Sequence, residues 1–222
     1  MLLALDTSTR QTGVALYADA QVLHENVWFS KRRHTVELTP AIDAALAMNG
    51  HTLDDLQAVA VATGPGSYTG LRIGLAVAKG LALGRHLPLI GVPTFDILAY
   101  AQPLREETMF TVLEAGRGRL AVAQYRVKKE AWKIKGEPEV LTPEELSSRI
   151  RKPTWICGEL NAEVRKILGR KHKNALIAPP ALSLRRPSFL AELAWERWQA
   201  DDTDDPATLA PYYLQVGDPI PA

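Results

Sequence analysis

Hydrophobic and polar positions change period several times along this chain, and each change predicts an element. Leu2-Leu-Ala-Leu-Asp6 is a short apolar run ending on an acid. Residues 12–17 and 22–29 follow after polar turns, so the chain is expected to open with three strands. From 35 to 48 the period lengthens, and Val36, Leu38, Ile42, Ala45 and Leu46 share one helical face. Pro40 is tolerated early in that helix, and Asn49-Gly50 stops it. Residues 58–63 read as a buried strand. A glycine-rich loop then opens a helix to about 83, followed by a strand at 87–91 and a short helix at 95–100 capped by Thr94.

The second half repeats the order. Strands are predicted at 109–113, 120–127 and 131–135. Thr142-Pro-Glu-Glu145 is a capping box with proline at the first helical position, starting a helix to about 150. A strand at 154–157, a helix at 161–168, a strand at 176–178 and a final helix at 189–198, capped by Ser188, complete the set. Residues 201–222, rich in aspartate and proline, read as a meandering tail. Two βββαβα units in one α/β chain are the architecture of the actin-like ATPase (ASKHA) superfamily. The division expected is 1–105 for an N-terminal subdomain and 106–222 for a C-terminal subdomain carrying the acidic, proline-rich tail.

Composition narrows the class. With 222 residues, 46% hydrophobic and 23% charged, the chain has the balance of a soluble globular protein. One cysteine, Cys157, excludes a disulfide framework and a cysteine zinc site. No apolar run approaches the ~20 residues of a bilayer span. The start has no basic n-region. A cytoplasmic protein is expected, with no membrane partner. The net charge of +1 hides a segregation: residues 1–107 carry 8 basic and 10 acidic groups, residues 108–185 carry 16 and 8, and residues 186–222 carry 2 and 7. The basic middle reads as a solvated face or as steering towards a phosphate backbone. It lacks the interleaved aromatics of a base-stacking surface.

Two turns carry candidate chemistry. Asp6-Thr7-Ser8-Thr9, with Gly13 beyond, places an acid and hydroxyls between the first two strands. Glu114-Ala-Gly116-Arg117-Gly118 is its counterpart in the second half. Such a turn suits phosphate or magnesium, or simply closes a hairpin through Asx and Ser/Thr turns. The run Gly64-Pro-Gly-Ser-Tyr-Thr-Gly-Leu-Arg-Ile-Gly74 has neither the Gly-Lys-Ser/Thr of a Walker A loop nor dinucleotide-binding spacing. Its small residues give a slim helix that permits close packing. His34 and Glu37 lack the partner spacing of catalytic zinc, so no metal site is expected and both are placed in a helical first turn.

Leu5-Asp-Thr-Ser8, His34-Thr-Val-Glu37-Leu-Thr-Pro40, the long glycine run, Gly91-Val-Pro-Thr94 and Pro211-Tyr-Tyr-Leu214 occur in order and resemble the bacterial TsaB (YeaZ) family. The resemblance implies a cytoplasmic, non-catalytic subunit needed with the catalytic paralogue TsaD and the ATPase TsaE. Together they form threonylcarbamoyl-adenosine beside the anticodon of tRNAs, which this chain would meet through the complex. No cofactor is required on this view, and any ATP or ADP binding is weak, at a remnant turn of Asp6, Thr7, Ser8 and Glu114. The chain departs from the family at Glu114-Ala-Gly-Arg-Gly-Arg-Leu-Ala121, Gly158-Glu-Leu160 and Tyr213-Leu-Gln215. The competing class is an autonomous actin-like ATPase or small-molecule kinase, which needs a second-half aspartate. Residues 108–185 contain none. The expected partner surface is the helix pair 35–48 and 70–83. There Gly70, Gly74 and Ala78 form a bare stripe and Val36, Ile42, Leu71 and Leu75 are its anchors, pairing with TsaD or with a second copy.

Overall fold

The computed structural model describes residues 1–31, 33–171 and 173–214. They form two compact units, Met1–Ile97 with Arg185–Tyr212, and Leu98–Leu184 with Tyr213 and Leu214. The expected boundary at 105/106 is therefore corrected at both ends. The final helix and the stretch after it return to the first unit. Gln215 and the rest of the tail, like His172, lie outside the described residues.

In the first unit, β1 (Leu2–Asp6), β2 (Gln11–Ala18) and β3 (Gln21–Phe29) form an antiparallel meander. β4 (Ala58–Gly64) and β5 (Leu89–Pro93) add in parallel, in the order β3-β2-β1-β4-β5. β1 sits at the centre and is buried throughout. Because successive side chains point to opposite faces, Leu3 and Leu5 join one core and Leu2 and Ala4 the other. The first core is closed by α1 (His34–Met48) and α2 (Tyr68–Arg85) through Leu38, Ile42, Leu46, Leu75 and Ala78. The second is closed by α6 (Pro187–Gln199). Its Ala191 and Ala194 meet a wall of small strand residues, Ala4, Ala15, Ala58, Ala60 and Ala62. Small faces small, so the helix seats close to the sheet. Tyr17 and Trp195 pack with ring centroids 5.4 Å apart.

The second unit repeats the topology. β6 (Thr108–Glu114), β7 (Leu120–Lys128) and β8 (Ala131–Ile134) form the meander, and β10 (Thr154–Gly158) and β11 (Ala175–Ile177) extend it in the order β11-β10-β6-β7-β8. β9 (Glu139–Leu141), which the sequence pattern did not predict, pairs with β7. α4 (Pro143–Arg149) and α5 (Ala162–Gly169) cover one face through Leu146, Val164 and Leu168. The capping box at Thr142 forms as expected. The other expected helix starts shift by one or two residues. The helix over 70–83 begins earlier, after Ser67, whose side chain accepts from the Gly70 N–H. α3 (Thr94–Tyr100) includes Thr94 as its first residue, with its buried hydroxyl unbonded among the described residues. α6 begins at Pro187, and Ser188 lies inside it. The N–H of Ser188 donates to Glu25, which also takes the Arg186 guanidinium. Burial pushes the Glu25 carboxyl up, but these bonds outweigh it and hold the group below its ordinary value.

No helix among the described residues is long and apolar enough to cross a membrane.

Candidate functional site: a closed turn and an outward helix pair

The turn between β1 and β2 is where the chemistry was expected, and the structure shows what occupies it. Asp6, Thr7, Ser8 and Thr9 are all buried. The carboxylate of Asp6 folds back on its own turn, taking the Ser8 N–H at 2.9 Å and the Ser8 hydroxyl. Its other oxygen is paired with the guanidinium of Arg185, a residue only 1% exposed. Arg185 also donates to the Thr9 hydroxyl at 2.9 Å and to the Gln11 carbonyl at 2.8 Å, while its own N–H donates to Gln11 Oε1 at 3.0 Å. Together these bonds compensate a fully desolvated cation, which would otherwise be very costly to bury.

The other side of the turn is closed by the glycine run. The Thr7 hydroxyl donates to the Gly70 carbonyl at 2.7 Å, and the Ser67 N–H donates to the Ser8 carbonyl at 2.6 Å. A Cβ at Gly66 would collide with the Ser8 carbonyl, one at Gly70 with the Thr7 carbonyl, and one at Gly74 with the Thr7 hydroxyl. The glycines are there so that α2 can lie directly on the β1–β2 turn.

This corrects the expected partner surface. Gly70, Leu71, Gly74, Leu75 and Ala78 of α2 and Ile42 of α1 are all buried within the first unit. Of the seven residues assigned to the interface, only Val36 is exposed, at 57%. α2 carries a second small stripe one face away. Ala76, Gly80 and Gly84 are exposed, and a Cβ at either glycine would meet nothing within 4 Å. Around it stand Leu83, 60% exposed, and on α1 Val36, Pro40, Ala44 and Met48, the last 77% exposed. The helix pair thus presents an apolar face to solvent, offset from the one predicted.

His34 and Glu37 sit in the first turn of α1, as expected. His34 is buried, with Nδ1 3.0 Å from the Thr12 hydroxyl, and burial lowers its pKa against the pull of Glu37 and Asp6. Glu37 accepts from the Trp28 indole at 3.0 Å. Bonds from Ser30 and Trp28 hold its carboxyl below the ordinary value.

Glu114 lies in the second unit and is exposed, its N–H donating to Glu159 Oε2 at 3.0 Å. Its turn lines a cavity of about 370 Å³ with Arg117, Arg119, Glu144 and Glu163, a mixed set of charges. Gly158, at φ +112°, is required because a Cβ there would strike the Val112 carbonyl. Arg185 is the residue that sequence reasoning missed. Leu184-Arg-Arg-Pro187 reads as a polar lead into a helix, and the one available signal was the acid at the end of a wholly apolar strand, which needs a counterion when buried.

The chain is similar to known proteins in sequence and in fold. The family model of TsaD, the tRNA N6-adenosine threonylcarbamoyltransferase, matches residues 23–176. The tRNA threonylcarbamoyladenosine biosynthesis protein TsaB of Escherichia coli is 35% identical over 153 residues, covering 68% of this chain and 66% of its own. TsaB of Bacillus subtilis is 30% identical over 224 residues, covering 98% and 95%. YeaZ from Pseudomonas aeruginosa superposes with a TM-score of 0.76 at 25% identity over 96% of this chain and 99% of its own. The activator of 2-hydroxyisocaproyl-CoA dehydratase from Clostridium difficile, solved with bound ADPNP, shares the fold alone, with a TM-score of 0.54 at 7% identity over 90% and 96%.

Proposed function

This chain belongs to the TsaB family of tRNA threonylcarbamoyladenosine biosynthesis proteins, and on that premise we propose that it is a non-catalytic subunit that pairs with TsaD and supports threonylcarbamoyl transfer to tRNA. The observation that carries the reading is the Asp6–Arg185 pair. In this fold the first turn is a natural place for phosphate and metal. Here its carboxylate is neutralised by the chain's own guanidinium, and its hydroxyls are spent on internal bonds. A chain that hydrolysed ATP on its own would need that acid free. Residues 98–184 contain no aspartate to take its place. ATP or ADP binding is accordingly weak and not required for the role.

The partner surface proposed is the outward face of α1 and α2, with Val36, Ala44, Met48, Ala76, Gly80 and Leu83 at its centre. Exposed small residues let a facing helix come close, and the larger apolar side chains around them supply anchors. TsaD, matched by the same family model, can present an equivalent helix pair, and a second copy of this chain can use the same face when TsaD is absent. TsaE joins through the TsaD complex, in the cytoplasm where tRNA is modified.

Co-elution with TsaD tests this. Ala76→Arg with Leu83→Asp is expected to leave the chain folded and abolish TsaD capture. Capture at the wild-type level by that folded variant contradicts the assignment.

A further inference from the structure

The second sheet brings to one rim three basic segments that are far apart in sequence. β6 begins at Thr108, β10 at Thr154 and β11 at Ala175, and the register aligns Thr154 with both of the others. β7 runs antiparallel to β6, so its end reaches the same rim, where Arg126 Nε donates to the Thr108 hydroxyl at 3.2 Å. β8 continues the edge, with Lys133 opposite Arg126 and Ala131 opposite Lys128. The chain entering β10 brings Lys152, whose carbonyl accepts from the Thr154 hydroxyl at 2.8 Å. The chain entering β11 brings Lys171 and Lys173 beside Asn174, whose carbonyl accepts from the Thr154 N–H at 2.9 Å.

All six cations, Arg126, Lys128, Lys133, Lys152, Lys171 and Lys173, are exposed, and none of them is in an ion pair among the described residues. The acids nearby are Glu106 and Glu107, entering β6, and Glu130, in the β7–β8 turn. Residues 98–184 carry 16 basic and 10 acidic groups, a net of +6, whereas 1–97 with 185–212 carry 10 and 14, a net of −4.

Arg126 directly opposite Lys133 is a like-charge pair, which costs a hairpin stability. A surface shaped by folding alone would alternate sign there. Five strands at about 4.8 Å spacing make the rim roughly 19 Å wide, room for several phosphates along a strand. The nearby Trp132 is half-buried, its indole N–H donating to the Gln102 carbonyl at 3.2 Å. The arrangement therefore suits charge contacts that position a nucleic acid without reading its sequence.

We propose that this rim is a contact for an RNA phosphate backbone. The choice of RNA over another polyanion rests on the proposed role in tRNA modification. The full chain, titrated into a fluorescently labelled tRNA transcript, is expected to raise its anisotropy with an affinity that falls steeply between about 50 and 200 mM salt. Lys128→Glu with Lys133→Glu, and separately Lys152→Glu with Lys173→Glu, should each weaken binding about tenfold and flatten the salt dependence, with thermal melting and TsaD capture unchanged. Glutamine at the same positions should give a smaller loss in the same direction, which separates lost contacts from repulsion. Wild-type affinity in both folded pairs, or no tRNA binding by the wild type at low salt, overturns the proposal. Variants that lose TsaD capture but keep tRNA affinity also overturn it, because the rim would then face an acidic protein. Rim-dependent tRNA binding by a wild-type chain that fails to capture TsaD supports the rim and removes the proposed partnership instead.

Discussion

The guanidinium of Arg185 is bonded to the carboxylate of Asp6 across 179 residues of sequence, with side-chain exposures of 0% and 2%. The pair ties the strand-to-helix segment that opens α6 to the first turn of the chain. It makes that turn a structural joint. Removing one partner leaves a buried charge without compensation, so Arg185→Met is expected to cost about 3–5 kcal/mol. Arg185→Met with Asp6→Leu should recover part of the loss, because two apolar side chains need no counterion. Urea unfolding of the two single variants and the double variant measures this. Equal and additive losses would mean that the two groups are not coupled.

The glycines of α2 divide by the face they occupy. Gly74→Ala drives a methyl group into the Thr7 hydroxyl, and a loss of about 1–3 kcal/mol is expected. Gly80→Ala adds its methyl to open space in a helix interior and should gain about 0.5–1 kcal/mol. Thermal melts of the two variants should therefore shift in opposite directions. A Gly74→Ala protein as stable as the wild type would mean that the helix does not rest on the turn.

Buried His34 gives the fold a pH dependence of known sign. Its pKa is lowered in the folded chain, so above about pH 6.5, the ordinary value, it is neutral in both states and its contribution is fully present. As the pH falls below that value the unfolded chain takes the proton first, and stability declines towards the lower folded pKa. Asp6 and Glu37 pull the other way and limit the loss. Melting temperature should fall from pH 7 to pH 5, and His34→Asn should flatten that slope. An unchanged slope in the variant would assign the dependence to other groups.

Much of this fold was legible because its signals are local. The apolar run of Leu2–Asp6, the capping box at Thr142 and the Asn49-Gly50 stop each depend on a few neighbouring residues. The helix pair was legible for the same reason. Its buried face was not, because α2 has two small stripes, 70/74/78 and 76/80/84, and either could face inwards on composition alone. What decides is the seat of the helix on Thr7 and Ser8, a contact about sixty residues away in sequence. Arg185 was hidden for a stronger reason of the same kind. A charged residue before Pro187 looks solvated until the chain's return to the first sheet is known. β9 was missed because three residues between turns carry too little periodicity.

The most direct test of the central claim is a drop-out reconstitution of tRNA modification. Purified TsaD and TsaE, a threonylcarbamoyl donor, ATP and unmodified tRNA are combined with or without this chain, and threonylcarbamoyl-adenosine is quantified by mass spectrometry of the digested tRNA. Product is expected only when the chain is present, with activity retained in a variant of this chain that is folded and shown to bind no ATP. Equal product without the chain would contradict it.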